Sequence, residues 1–134
     1  MCMRIAIDTS AVIAVVANEP SKPGLVEATR GASLLAPSSV HWEIGNAFSA
    51  MLRRRRLRLA QVHKALRAYA EIPIQFVDVD LADALTIAAE LKLYAYDAYV
   101  LQCARLHRSP VLTLDDRLIR AAKQIALDVL EVSQ

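Results

Sequence analysis

The sequence is poor in the residues that form disulfide frameworks and zinc sites. It contains two cysteines, Cys2 and Cys103, which lie far apart and do not have the spacing of a metal site. Its three histidines form no cluster with them. This usage argues against a disulfide framework and is typical of a protein from a reducing compartment.

The sequence also lacks long hydrophobic runs. No segment has the roughly 18 or more consecutive apolar residues of a membrane-spanning helix. The stretch "MCMRIAIDTSAVIAVVANEP" has some of the apolar character of a signal peptide, but Asp8 interrupts it and little positive charge precedes it. We therefore expect a soluble, cytoplasmic protein with no membrane partner.

The chain does have enough apolar residues for one core. Of its 134 residues, 55% are hydrophobic, and we expect residues 1–134 to form a single domain. The net charge is only +2, which permits a nucleic-acid partner without requiring one.

One run of basic residues contributes much of the positive charge. It comprises Arg53, Arg54, Arg55 and Arg56, followed by Arg58. Such a run is either a solvated helix end, where cations interact favourably with the helix dipole, or a patch that contacts RNA phosphates. The residues themselves leave both interpretations open.

Short β-branched segments alternate with helical patterns along the chain. Strands are expected at residues 4–8, 33–37, 74–79, 110–114 and 127–132. Helices are expected from Ser10, over 22–30, from a cap at Ser39, over 60–70, after a cap at Asp80, around Asp97 and over 115–125. Repeated units of this kind predict an α/β fold with a mostly parallel sheet covered by helices.

Acidic residues accompany several of these elements. Asp8 ends the first strand, Asp115 and Asp116 follow "VLTL", and Glu43 lies one turn into the helix after "LLAP". Asp97 lies near the start of its own helix. In open parallel sheets, ligands bind outside the carboxyl ends of the strands. We therefore expect these side chains to reach the same edge of the sheet.

Each acid also has an ordinary structural explanation. Asp8, Asp115 and Asp116 could serve as helix caps, and Glu43 could pair with an arginine. Asp97 is harder to explain in this way. The helix "LYAYDAYVLQCARL" surrounds it with apolar residues and offers no obvious cationic partner.

Taken together, the acids predict a metal site. Carboxylates that converge on one edge repel one another, and this repulsion raises their pKa values. A divalent cation removes the repulsion, and oxygen ligands without a His or Cys cluster favour Mg²⁺ or Mn²⁺ over zinc. Mg²⁺ retains several waters, one of which can act as a nucleophile on a phosphodiester substrate.

The ordered motifs of the chain resemble a known family. The segments "IDTSAVIAVVANEP", "APSSVHWEIGNAF" and "LYAYDAYVLQCARLHRSPVLTLDDRLIRAA" are similar to the motifs of PIN-domain ribonucleases, and more narrowly to those of VapC-type toxins. The resemblance spans nearly the whole chain and implies a single PIN domain. It also implies a PIN-like three-layer α/β/α sandwich around a central, mostly parallel sheet.

The resemblance implies roles for individual residues. The acidic positions of the motifs are filled by Asp8, Glu43, Asp97 and Asp115. Asp8 and Asp97 would be the principal ligands of Mg²⁺ or Mn²⁺, while the other two acids would act directly or through water. Ser10 and Thr113 would orient a carboxylate or a water, and Asp116 would be a helix cap or an outer group. The arginine run matches no motif of the family.

The resemblance also implies a function and partners. The protein would be a metal-dependent endoribonuclease and the toxin of a toxin–antitoxin pair, inhibiting translation by cleaving RNA. It would form a homodimer and bind a cognate antitoxin in a heterotetramer or a larger assembly. One alternative is a non-catalytic RNA-binding module of the same fold. A signalling receiver domain is disfavoured, because the first strand ends in a single acid, Asp8, rather than a pair.

Overall fold

Four short parallel strands form the centre of the molecule. A computed structural model describes residues 3–132 and places the strands in the order β3-β2-β1-β4. They are β1 (Arg4–Ile7), β2 (Ser33–Pro37), β3 (Ile74–Val77) and β4 (Val111–Leu112). Ala6 of β1 lies opposite Leu35 of β2 on one side and Val111 of β4 on the other. The predicted parallel sheet is therefore confirmed.

Helices cover this sheet. They are α1 (Thr9–Val16), α2 (Lys22–Ala28), α3 (Ser39–Arg53), α4 (Leu59–Ala70), α5 (Leu81–Leu91), α6 (Ala95–Leu106) and α7 (Asp116–Gln124). Helix α1 packs against α2, α3 and α4, whereas α6 packs on β1, β2 and β4 and against α5. The predicted α/β architecture, a parallel sheet flanked by helices, is confirmed.

The core lies where the central strands meet their helices. Ile5 and Ala6 of β1 are fully buried, as is Leu101 of α6. A strand buried on both faces needs an unbroken apolar sequence, and "IAI" in β1 provides one. The edge strand β3 exposes Gln75 and Phe76, whereas the apolar residues of β1 and β4 are buried.

The last predicted strand, at residues 127–132, is not formed. This segment makes only an isolated parallel bridge, in which Val129 lies beside Val111 of β4. Strand β4 itself spans two residues instead of the predicted 110–114. The N–H groups of Leu114 and Asp115 bond to side-chain oxygens rather than to a neighbouring strand, so the ladder has no further residues to extend.

Two helix starts differ slightly from the expectation. Helix α3 begins at Ser39, with Ser38 rather than Ser39 at the capping position, and the Ser38 side chain makes no capping bond. Helix α1 begins one residue early, at Thr9, because Asp8 caps it. The expected cap of α5 is confirmed, since Asp80 Oδ2 accepts a hydrogen bond of 3.0 Å from the Asp83 N–H.

The buried thiol of α6 has no partner in this part of the chain. Cys103 is a free cysteine, and burial raises its pKa to about 11. It therefore behaves as a small apolar residue rather than a nucleophile. Cys2 lies outside the described residues. Across residues 3–132, no helix combines the length and apolar character that crossing a membrane requires.

Candidate active site

The strand order creates a crevice at the carboxyl ends of β1 and β4. From β1 the chain passes to β2 and β3 on one side, and then returns to β4 on the other side of β1. Open α/β sheets bind ligands at such a switch point. Asp8 directly follows β1, and Thr113 directly follows β4. Both side chains therefore lie where the topology predicts a site.

The Asp8 carboxylate is held by three hydrogen bonds. Its Oδ2 accepts from Thr113 Oγ1 at 2.6 Å, and its Oδ1 accepts from Ser10 Oγ at 2.7 Å and from the Ala11 N–H at 3.1 Å. Asp8 is only 8% exposed. An ionised carboxylate has about four acceptor positions, so this arrangement leaves one for a ligand.

The two hydroxyls that hold Asp8 also tie the ends of β1 and β4 together. Ser10 Oγ accepts from the Leu114 N–H at 3.0 Å, and Thr113 Oγ1 accepts from the Asp115 N–H at 3.0 Å. The hydroxyl oxygens lie 3.3 Å apart. These contacts place Ser10 and Thr113 beside Asp8 and tie the Asp115 backbone to Thr113.

Burial and hydrogen bonding have opposite effects on the pKa of Asp8. Burial raises the pKa of its carboxyl, and the charge of Asp115 raises it further. The hydrogen bonds from Thr113, Ser10 and the Ala11 N–H lower the pKa, because they favour the charged form. The net pKa is raised, so the site holds its first acid against a substantial cost of desolvation.

Glu43 reaches the same region from the first turns of α3. Burial raises the pKa of its carboxyl, as do the charges of Asp8 and Asp97, while the nearby hydroxyls of Ser39 and Thr9 lower it. Those hydroxyls do not form hydrogen bonds of normal geometry with it. The buried atoms Glu43 Oε2, Ser39 Oγ and Thr9 Oγ1 all lack a partner among the described residues. A buried carboxylate oxygen without a partner is unusual and indicates a site that completes with a ligand.

Asp97 lies in the first turn of α6 and is half-buried. Burial raises the pKa of its carboxyl, and the charge of Asp115 raises it as well. The guanidinium of Arg117 lowers the pKa. The sequence around Asp97 offers no cation, but the fold supplies one from α7. The charge inside the apolar helix thus faces α7 and not the core.

The acids form a closed ring of repulsions. The charge of Asp115 raises the pKa values of Asp8 and Asp97. The charges of Asp8 and Asp97 in turn raise the pKa of Glu43. The structure therefore brings together the four acids that the sequence singled out. Their oxygen-only donors and the unpartnered Glu43 Oε2 fit a hard divalent cation.

The acids do not, however, form a ready-made coordination sphere. Within residues 3–132, no group of three or more His, Cys, Asp or Glu side chains is close enough to hold a metal ion as it stands. Charges influence one another over longer distances than ligand bonds span. Mg²⁺ keeps several of its waters and takes only one or two carboxylates directly, so wider spacing is compatible with it.

Two predicted groups lie apart from this ring. Asp116 is the exposed first residue of α7, and the N-cap is Asp115, whose Oδ1 accepts from the Arg117 N–H at 2.9 Å. The cap predicted at Asp116 is therefore wrong by one residue. The exposed run Arg53–Arg56 begins at the opposite end of α3 from Glu43, and Arg53 lies about 15 Å from Glu43 along the helix axis.

The structure also has a basic groove beside Asp97 that the sequence motifs did not predict. The groove has a volume of about 480 Å³ and lies between the α5–α6 turn and α7. Lys92, Arg117 and Arg120 line it together with Asp97. A signal was present in "DDRLIR", where two arginines three residues apart share one face of the helix that follows the last acid.

Comparisons with known proteins agree with this geometry. The chain is similar in structure to PAE2754 from Pyrobaculum aerophilum, with 24% identity, 96% of this chain and 92% of that chain covered, and a TM-score of 0.68. It is also similar to VapBC2 from Rickettsia felis, solved bound to a DNA fragment from their promoter. There the identity is 14%, the coverage is 98% of this chain and 100% of that chain, and the TM-score is 0.66. At these identities the likeness shows the fold.

Sequence comparisons give the family itself. A comparison with curated proteins gave no match. The family model described as "PIN domain" matches residues 5–124, which include all four acids of the ring. The chain belongs to the PIN domain family.

Proposed function

We propose that the protein is a metal-dependent endoribonuclease that hydrolyses RNA phosphodiester bonds. The observation that carries the proposal is the closed ring of Asp8, Glu43, Asp97 and Asp115 at the switch point of the sheet. Membership of the PIN domain family supports it, because nuclease activity is general in that family. Repulsion among four carboxylates destabilises a fold unless a cation neutralises it. Such a cluster is therefore more typical of a functional site than of a structural one.

The residues would hold Mg²⁺ or Mn²⁺ as follows. Asp8 and Asp97 would be the principal ligands, and Glu43 and Asp115 would contact the ion directly or through water. A divalent cation bound here would neutralise the ring, polarise the phosphate and activate a water for attack on phosphorus. The donor set contains oxygen alone, which suits these ions better than zinc.

The chain's own groups would position and move protons. Thr113 Oγ1 and Ser10 Oγ keep Asp8 oriented and favour its charged form. Within residues 3–132, Glu43 Oε2 has no hydrogen-bond partner, and the pKa of this carboxyl is raised, so it is suited to accept the proton of the attacking water. Arg117, next to Asp97, would offset charge that develops on the phosphate.

We further propose that the nuclease is the toxin of a toxin–antitoxin pair. The structural likeness to VapBC2 and the VapC-like motifs support this assignment. It carries with it a cytoplasmic location and inhibition of translation through RNA cleavage. The partners would be a cognate antitoxin and a second copy of the chain, in a heterotetramer or a larger assembly.

The test compares wild-type protein with Asp97→Asn, a substitution that keeps the size of the side chain. With Mg²⁺ or Mn²⁺ present, we expect the variant to lose more than the about 10- to 100-fold typical of outer-shell changes at metal sites. In cells, sequencing of RNA 5′ ends after induced expression should show new ends with wild-type protein and none with Asp8→Ala.

A non-catalytic RNA-binding module is the second candidate. It is favoured by one observation, the lack of a preformed three-ligand cluster within residues 3–132. The same experiments separate the two candidates. RNA binding by the wild-type protein without cleavage above the level of Asp97→Asn, or unchanged 5′-end profiles between wild type and Asp8→Ala, would reject the nuclease in favour of the module.

A further inference from the structure

The basic groove beside Asp97, here called the α5–α7 groove, has a composition unlike that of the acidic ring. Residues 91–94 form one wall, and α7 forms the other with Arg117, Arg120 and Gln124. Its volume of about 480 Å³ is large enough for a nucleotide-sized group. Asp97 belongs to both the groove and the ring, so an occupant of the groove extends directly to the acids.

The groove has an excess of positive charge. Lys92, Arg117 and Arg120 are all exposed, against the single acid Asp97. Between residues 3 and 132, the one ion pair within 4.0 Å joins Arg30 to Glu27, far from this groove in the sequence. The three cations therefore keep their hydrogen-bond donors available for an anion from outside the chain.

The arrangement of these cations suits a chain of phosphates. Arg117 and Arg120 are three residues apart and point from the same face of α7, about 5–6 Å apart at their Cβ atoms. Lys92 faces them from the opposite wall. Tyr94, which also lines the groove, is 77% exposed and offers an aromatic ring on which a base can stack.

Lys92 occupies a backbone position that favours glycine. It ends α5 in the left-handed conformation, with φ of 56°. Helices commonly place glycine there because a Cβ atom is unfavourable in this region. The lysine therefore carries a conformational penalty, and it brings an ammonium group to the groove. This position allows a test in which stability and binding should change in opposite directions.

We propose that the α5–α7 groove binds backbone phosphates of single-stranded RNA that flank the cleaved bond, on the Asp97 side of the site. This inference rests on the proposed function. It assigns the flanking contacts to Lys92, Arg117 and Arg120 and not to the distant run Arg53–Arg56. RNA is favoured over an acidic peptide because the groove opens onto the acids and exposes Tyr94 for a base.

The test measures binding without cleavage. A fluorescein-labelled ten-nucleotide single-stranded RNA is titrated with protein in EDTA, and anisotropy gives Kd over a series of salt concentrations. The test variant is Lys92→Gly with Arg120→Ala. The control is Arg53→Ala with Arg54→Ala, which removes the same charge from the far end of α3.

We expect the test variant to bind about tenfold more weakly at low salt. The slope of log Kd against log salt should fall by about 1.4, because each phosphate contact of a single strand contributes about 0.7. The control should keep the wild-type Kd within about twofold. The melting temperature of the single Lys92→Gly variant should equal or exceed that of the wild type, because the left-handed residue is relieved.

Three other outcomes would contradict either the groove proposal or the proposed function. If the wild type binds and cleaves RNA and the test variant has the same Kd and salt slope, the groove proposal is overturned and the nuclease stands. If the wild type neither binds nor cleaves RNA, the proposed function itself fails. If the test variant keeps its RNA affinity but loses affinity for a polyglutamate peptide, the groove is a site for an acidic protein partner instead.

Discussion

At the scale of single residues, hydrogen bonds offset part of the cost of burying the Asp8 carboxylate. Asp8 lies at the end of a central strand, where desolvation favours the neutral acid. Two hydroxyls and one backbone N–H offset this by donating to the carboxylate. Thr113 makes the shortest of these contacts and comes from the other end of the chain, so it is a positioning residue for the first acid.

Replacing Thr113 with valine should impair cleavage while preserving the shape of the site. Valine has nearly the same volume but cannot donate to Asp8 or accept from the Asp115 N–H. We expect a loss of about 10- to 100-fold in kcat/KM and about 1–3 kcal/mol in the free energy of unfolding. Because the lost bond lowers the pKa of Asp8, the acidic limb of the pH–rate profile should move to higher pH.

Thr86→Val is the matched control for this variant. Thr86 Oγ1 donates to the Ala82 carbonyl on the exposed surface of α5, at 2.8 Å. The control should keep the wild-type kcat/KM and pH profile. If Thr113→Val also kept the wild-type pH profile, its hydroxyl would have no role in holding the charge of Asp8.

The acids also predict how stability depends on pH without metal. Asp8, Glu43 and Asp97 have raised pKa values when folded, above the ordinary 3.8 for Asp and 4.5 for Glu. The folded state thus binds these protons more tightly than the unfolded state. Their contribution is fully present below the ordinary values and is lost as pH rises through the folded values.

Urea denaturation in EDTA at a series of pH values measures this contribution. Over the window above 3.8, the free energy of unfolding of Asp97→Asn should fall less with rising pH than that of the wild type. Parallel pH curves for the two proteins would show that Asp97 titrates alike in the folded and unfolded states.

The residues of the acidic ring could be found in the sequence, but their partners could not. Each acid follows a strand or begins a helix, and that local pattern predicts the sheet edge it reaches. The influence of the Arg117 charge on Asp97 depends on how α6 and α7 pack, which no local pattern reveals. The arginine run is visible in the sequence because its residues are consecutive. The cations of the groove cannot be recognised in this way, because they come from two separate elements.

At the scale of elements, the end of helix α7 has the geometry of a common helix cap but not the residue that favours it. Helix α7 ends with Ala126 in the left-handed conformation, at φ of 60°. The Leu127 N–H bonds to the Ala122 carbonyl at 3.0 Å, and the Ala126 N–H bonds to the Lys123 carbonyl at 3.1 Å. This is the Schellman pattern, in which glycine is the favoured residue.

Ala126→Gly should therefore stabilise the protein. Glycine has no Cβ atom and adopts the left-handed conformation without a steric cost. The substitution should therefore raise the free energy of unfolding by about 1 kcal/mol, with cleavage unchanged. Urea denaturation measures the change. The control is Ala89→Gly at an exposed position inside α5, where the same substitution should lower the free energy of unfolding by about 1 kcal/mol. Two changes of the same sign would contradict the assignment of this helix end.

The length of strand β4 was harder to predict than its position in the sequence. The sequence from 110 to 114 alternates and contains β-branched residues, which predicts a strand of normal length. The N–H groups of Leu114 and the following Asp115 instead bond to the hydroxyls of Ser10 and Thr113, and the strand stops at Leu112. These hydroxyls come from the site, so function shortens the strand in a way that propensity does not register.

At the scale of the whole molecule, a divalent cation should stabilise the fold. Mg²⁺ or Mn²⁺ that binds the folded state should raise the free energy of unfolding by about 2.7 kcal/mol at 100 times its Kd. Thermal melts with and without EDTA measure the shift. Asp97→Asn should respond much less to the ion, and an equal response would place the bound ion elsewhere.

The architecture itself was largely predictable. Alternating strand and helix patterns predict a parallel α/β sheet, and the family resemblance predicts the PIN-like arrangement. The strand order β3-β2-β1-β4 could not be read from the residues alone. It depends on which strands can be buried on both faces, and β1 becomes central because "IAI" is apolar throughout.

The bond between Thr113 and Asp8 joins residues 105 positions apart, and the bond between Leu114 and Ser10 spans 104. During synthesis, Asp8 is made early, and the Thr113 hydroxyl that bonds to it is made more than 100 residues later. A growing chain therefore cannot complete the hydrogen bonds around Asp8 and Ser10 until residues 113 and 114 have been synthesised.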